Sequence, residues 1–191
     1  GIQFVFLPSS EPDHTDGRYG GPQSREGARE FAAELAIFVL LLRAEFPWLK
    51  LVSPPLVALG TPGVFDEECG EVFKLHDLIG EHSYWQGPDN HLSPDWGLRV
   101  KQRQLFYPNH RFVIAEIGDA SNQGVVESMW TSAMLRYQRI MQVLSVLASL
   151  DYVDAACIFI GRGSTAEWRG FWPDDAAIKM LGGEVMTWDR H

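Results

Sequence analysis

Short apolar runs alternate along this chain with longer stretches in which apolar residues recur every three or four positions. The run Ile2 to Pro8 (IQFVFLP) predicts a strand buried on both faces. A polar, glycine-rich stretch from Ser9 to Ser24 reads as a long loop. Phe31, Leu35, Phe38, Val39 and Leu42 then recur at helical spacing and predict a helix from Arg25 to Phe46, ended by Pro47. Leu49 to Pro54 predicts a second strand, Phe65 to Lys74 a second helix and Leu75 to Tyr84 a third strand. Ser93-Pro94 has the character of an N-cap followed by a first turn, so a helix is expected from Ser93 to Leu105. Arg111 to Ile117 (RFVIAEI) is expected as the fourth strand, Val125 to Leu150 as the next helix and Ala155 to Gly161 as the fifth strand. Asp174 to Leu181 is expected as a closing helix.

Strand followed by helix, five times over, implies right-handed crossovers and a parallel sheet, so the fold class is α/β. The 191 residues suffice for one sizeable core and read as one domain, 1–191. They fall short of the roughly 250 residues typical of a complete (β/α)₈ barrel.

Composition narrows the partners. Hydrophobic residues make up 46% of the chain and charged residues 21%, an ordinary globular balance. The formal net charge of -9, with a pI near 5.1, repels phosphate backbones, so nucleic acid and anionic membrane are not expected partners. The basic residues Arg99, Lys101 and Arg103 read as the solvated face of a helix. The most apolar helix is interrupted by Glu34, Arg43 and Glu45, and its uninterrupted core, Ala36 to Leu42, is far below the ~20 residues that span a bilayer. Cys157, in the run AACIFIG, reads as a buried thiol, and two distant cysteines form no disulfide framework. Asp13, His14 and Asp16 lie close together but match no metal-ligand pattern, so that loop reads as solvated and no metal or cofactor is expected. No basic-then-apolar leader precedes the first strand. Opening at Gly1, the chain reads as following a removed leader or as part of something longer.

The chemistry gathers at the carboxyl ends of the strands, where parallel α/β folds bind their substrates. Those ends carry Ser10 and Glu11, Ser53, His82 with Tyr84 and Trp85, Glu116, and Arg162 leading to Trp168. Asp77, at the start of the third strand, reads as pairing locally. Two carboxyl groups facing one cleft suit glycosidic cleavage, because one must protonate the leaving oxygen while the other attacks or stabilises the anomeric carbon. A gap of about 5–5.5 Å gives retention, and about 6.5–9.5 Å leaves room for water and gives inversion.

Ser10-Glu11-Pro12 after FVFLP, Val113-Ile114-Ala115-Glu116-Ile117-Gly118, and His82-Ser83-Tyr84 between them resemble the signatures of a large clan of retaining glycosidases. That clan carries its two glutamates on strands four and seven of a (β/α)₈ barrel. The resemblance implies a partial TIM-like barrel of about five parallel βα units, corresponding to strands four through eight. It implies Glu11 as acid/base, Glu116 as nucleophile, and His82, Tyr84 and Trp85 lining the cleft. Trp168 would stack on the sugar, with Trp172 in reserve, and Ser10 stands where the clan has an asparagine that contacts the 2-hydroxyl. An oligosaccharide or glycoside is the implied ligand. The unclosed sheet would be covered by another copy of the chain or a partner chain, or would flatten, since open edges and exposed apolar faces associate. The alternative is a non-catalytic carbohydrate-binding or assembly protein derived from such a barrel. A third reading, an α/β enzyme acting on a phosphorylated or nucleotide ligand, has only Gly161-Arg162-Gly163-Ser164 to support it.

Overall fold

Five short strands pair side by side in chain order, all parallel, with helices in the crossovers between them. The computed structural model describes residues 4–6, 11–14, 18–56, 63–86, 89–119 and 133–158. The strands are β1 (Phe4–Phe6), β2 (Lys50–Val52), β3 (Leu78–Trp85), β4 (Arg111–Asp119) and β5 (Val153–Ile158). The helices are α1 (Arg25–Glu45), α2 (Val64–Phe73), α3 (Val100–Phe106) and α4 (Ala133–Ser149), with one 3₁₀ turn at Asn90–Leu92. The sheet curls into a half-barrel, the α/β partial barrel expected. Among the described residues no helix is long and apolar enough to cross a membrane.

Local chemistry explains the element ends. Ser24 caps α1, its Oγ accepting the Gly27 N–H at 3.0 Å. The third strand begins three residues later than expected because Leu75, His76 and Asp77 are spent closing α2. The His76 N–H donates to the Phe73 carbonyl, and the His76 ring sits against the carbonyls of Val72 and Phe73. The helix expected from Ser93 begins only at Val100. Residues 93–99 instead form tight turns, with the Trp96 and Leu98 N–H groups both donating to the Ser93 carbonyl. The eight residues 125–132 at the head of the expected fourth helix, and the whole of the expected Asp174–Leu181 helix, lie outside the described residues.

Alternation along the strands divides the side chains between two faces. Ile79 and Trp85 on β3, with Phe112, Ile114 and Ile117 on β4, face the helices. There they join the main core with Phe31, Leu35, Phe65, Phe73 and Leu147. Val52, Leu78 and Val113 face inward and form a smaller core at the bottom of the half-barrel. Gly80 is required on the inner face. A Cβ there would lie 2.2 Å from the Ser53 carbonyl oxygen, so β3 can approach the end of β2 only without a side chain.

Three readings of the sequence are corrected. Arg99 and Arg103 are buried, and only Lys101 lies on a solvated face. Cys157 is exposed near the end of β5, the outermost strand of the described sheet. Asp77 does not pair locally. It accepts from Arg43 Nη2 at 2.6 Å and from the Leu51 N–H at 2.9 Å, tying the end of α1 and the start of β2 to β3.

Candidate active site

Glu116 owes its position to an irregularity in the sheet. β3 and β4 pair in step from Leu78 with Arg111 to Glu81 with Ile114, and pairing then resumes at His82 with Glu116. Ala115 is the extra residue of a β-bulge. Counted by strict alternation from Val113, Glu116 would turn toward the helices. The extra residue returns it to the inner face beside His82, since a slip of one residue exchanges the faces of a strand.

Glu11 arrives from the opposite side, on the segment that follows β1. Its N–H donates to the Pro55 carbonyl at 3.1 Å and its carbonyl accepts from the His14 N–H at 3.0 Å. Among the described residues it is the one non-glycine with positive φ, at 55°. A left-handed backbone at a bulky side chain stores strain of the kind that surrounding structure must impose, and such strain gathers at functional sites.

The imidazole of His82 lies between the two carboxylates. Its Nδ1–H donates to Glu11 Oε1 at 2.9 Å, and its Nε2 lies 3.9 Å from Glu116 Oε1. The second distance is too long for a direct hydrogen bond, and Nε2 is buried without a partner among the described residues. His82 is 1% exposed while both glutamates are 28% exposed, so the ring is buried beneath two carboxylates that keep partial access to solvent. The Tyr84 hydroxyl donates to Glu116 Oε2, and its ring stands edge-on to His82 at 5.6 Å. Burial, reinforced by the Glu116 carboxylate, raises the affinity of Tyr84 for its proton, which keeps it a hydrogen-bond donor at every physiological pH. The His82 hydrogen bond holds Glu11 below its ordinary value of 4.5. Burial opposes this, and the charges of His82 and His14 assist it.

Four of the residues singled out from the sequence thus meet: Glu11, His82, Tyr84 and Glu116. Trp85 follows Tyr84 directly, so its ring points to the opposite face and is fully buried in the main core, away from the cleft. Ser53 is also buried, its Oγ accepting the Gly80 N–H at 3.1 Å rather than facing a ligand. Ser10, Arg162, Trp168 and Trp172 lie outside the described residues. In the loop with three acidic and histidine side chains, Asp13 is buried and His14 exposed. Among the described residues no group of three or more suitable side chains could hold a metal ion.

The sequence reading missed a buried charged cluster behind the site. Glu81, Arg103 and Asp66 are within 4% of complete burial. Arg103 Nη1 donates to Glu81 Oε2 at 3.0 Å and to the Gly80 carbonyl at 3.1 Å, and Nη2 donates to Asp66 Oδ1 at 2.7 Å. The Tyr107 hydroxyl also donates to Asp66 Oδ1, at 3.1 Å. Helical spacing offered one signal, since Arg99 and Arg103 stand four apart on one face with the apolar Val100 beside it.

No family model matches the chain, and no curated protein matches it. Among solved structures the chain is similar to a GH128 (subgroup VI) exo-β-1,3-glucanase from Aureobasidium namibiae. The TM-score is 0.59 at 16% identity, and the match covers 86% of this chain and 58% of that one. It is similar also to a GH128 (subgroup II) endo-β-1,3-glucanase from Pseudomonas viridiflava, with TM-score 0.58, 17% identity, and 90% and 63% of the two chains covered. A xyloglucanase of glycoside hydrolase family 44 from Paenibacillus polymyxa matches at TM-score 0.55 and 13% identity, over 85% and 43%. The chain therefore spans less than two thirds of the length of these structures. At such identities the likeness is one of fold, and the fold is one the chain shares with glycoside hydrolases.

Proposed function

We propose that the chain is a glycoside hydrolase-like protein that cleaves β-glycosidic bonds by double displacement with retention. The observation that carries this reading is the meeting of Glu11 and Glu116 across one buried imidazole, at the open rim of a half-barrel. Glu116 attacks the anomeric carbon, with the Tyr84 hydroxyl orienting the attacking carboxylate. Glu11 protonates the departing oxygen and then takes a proton from the incoming water. His82 holds Glu11 through its Nδ1–H and turns Nε2 toward Glu116 across 3.9 Å. Ser10 is assigned to the sugar 2-hydroxyl, Trp168 to stacking on the sugar face, and Trp172 to the same role in reserve. In this reading the chain supplies the equivalents of barrel strands four through eight.

β-1,3-Glucan oligosaccharides are the first substrates to test, because several structural neighbours are β-1,3-glucanases. Replacing Glu116 with Gln should abolish turnover while oligosaccharide binding persists. Undiminished turnover in that variant would overturn the assignment. The anomer released first, read by proton NMR, tests the stereochemistry, with a β-anomer expected from a β-linked substrate.

A second reading, sugar binding without turnover, is favoured by the lowered proton affinity of Glu11, since a leaving-group acid must hold its proton. Calorimetric binding of oligosaccharide with no product released over the same period would select it.

A further inference from the structure

Arg103, on α3, touches neither Glu11 nor Glu116, yet it grips strand residues next to His82. Its guanidinium reaches through the helix–sheet layer to the Gly80 carbonyl and to both neighbouring carboxylates, Glu81 and Asp66. Glu81 is the last residue of β3 before the pairing with β4 changes step. Its other oxygen, Oε1, accepts the backbone N–H of His82 at 3.0 Å. A side-chain carboxylate here performs the task that a ladder carbonyl performs in regular sheet. Arg99 Nη2 stands 3.9 Å from the same oxygen, so a second buried guanidinium faces the carboxylate.

The segment Gly80 to His82 is thereby held from both sides. Ser53 takes the Gly80 N–H from the β2 side, and Arg103 takes the Gly80 carbonyl and the Glu81 carboxylate from the α3 side. Burying this many charges confers little net stability compared with apolar packing of the same volume. What such a cluster can confer is one fixed geometry, and the geometry here is the bulge that sets His82 between Glu11 and Glu116. We propose that Glu81 and Arg103 are positioning residues of the site, fixing the His82 ring through the strand backbone so that Nδ1 meets Glu11 and Nε2 faces Glu116.

This inference rests on the hydrolase reading only for what Glu11 and Glu116 do, so it is tested without substrate. The carboxyl carbon of Glu11 and the ring nitrogens of His82 are followed by NMR titration in the parent chain, in Arg103→Lys and in Glu81→Gln. Lysine keeps the charge but loses the forked contact to Gly80, Glu81 and Asp66. Glutamine keeps the shape and an acceptor for the His82 N–H while removing the charge. In both variants the Glu11 titration should move upward toward its ordinary value as the His82 contact loosens, and the Nδ1–H signal should lose its hydrogen-bonded shift. The acidic neighbour Glu116, 3.9 Å from His82 Nε2, and the basic neighbour His14, whose charge acts on Glu11, also face this group and are followed in the same titrations. If Arg103→Lys does not fold, Glu81→Gln alone decides the matter. A folded variant whose Glu11 and His82 signals titrate as in the parent would overturn the proposal and leave the hydrolase reading intact. An inactive parent with the predicted NMR shifts would do the reverse.

Discussion

At the scale of single residues, the site is a chain of hydrogen bonds whose members have different tasks. Tyr84 stays protonated and donates to a carboxylate, a bond worth about 1.5–3 kcal/mol because one partner is charged. Tyr84→Phe should therefore lower kcat/KM about ten- to hundredfold with the fold intact, measured on an aryl β-glycoside. His82 acts on Glu11 in the opposite sense from the one a leaving-group acid needs. Its hydrogen bond stabilises the ionised carboxylate and lowers the affinity of Glu11 for its proton. In the proposed hydrolysis an acid of lowered affinity loses its proton early as pH rises, so the alkaline limb of the rate profile should fall at low pH. His82→Phe removes that bond, raises the affinity and should move the alkaline limb to higher pH, at a cost in overall rate. A limb that stays in place would show that Glu11 is not the acid. Glu11, Glu116, His82 and Tyr84 were all legible in the sequence, because polar residues that interrupt apolar strands at their ends stand out. Trp85 looked equivalent to Tyr84 and is not, for a reason of parity: adjacent strand residues face opposite ways.

At the scale of elements, the turn from α2 to β3 carries a pH dependence of its own. The Nδ1–H of His76 donates to the carbonyls of Val72 and Phe73, which at the end of α2 also accept the Leu75 and His76 N–H groups. Its ring is buried, and burial pushes its pKa down to about 4 from an ordinary 6.5, with the two carbonyl contacts opposing that shift. Between those values the unfolded chain binds a proton that the folded chain refuses, so stability is complete above pH 6.5 and falls as pH drops toward 4. Urea unfolding at pH 7 and pH 5 should differ by about 2 kcal/mol from this residue. His76→Gln should remove most of that difference. Asp77 and Glu11 also have lowered affinities, but they lose their contributions only below their ordinary values of 3.8 and 4.5, outside the interval between pH 7 and pH 5 that the comparison spans. Hydropathy and capping patterns located every strand and α-helix that falls within the described residues, but not the 3₁₀ turn Asn90–Leu92. They misplaced the boundaries of β3 and α3, where turn hydrogen bonds rather than apolar spacing decide where the element begins.

At the scale of the whole molecule, α1 is apolar on two sides. Ala28, Phe31, Leu35 and Val39 pack into the main core, while Ile37, Leu40 and Leu41 stand exposed on the opposite side of the helix. A helix apolar all round is ordinarily buried all round, and contiguous exposed apolar groups of this kind mark contact surfaces. The expectation from the sequence is that another copy of the chain or a partner chain covers such a surface, and a second copy is the case tested by sedimentation. Sedimentation of the parent should show a dimer or larger species, and Ile37→Glu with Leu41→Glu should reduce it to a monomer. A monomeric parent at micromolar concentration would remove the expectation.

The order of elements, the parallel sheet and the four polar side chains of the cleft follow from the sequence alone, because hydrophobic periodicity and strand-end polarity are local properties of the chain. Tertiary structure decided which face Glu116 presents, through the extra residue Ala115, and which charges are buried, through Arg103 reaching Glu81 and Asp66. Both depend on how neighbouring strands and helices come into register across many intervening residues. No pattern read along one segment contains that register, because the competition between pairings is settled only when the strands meet.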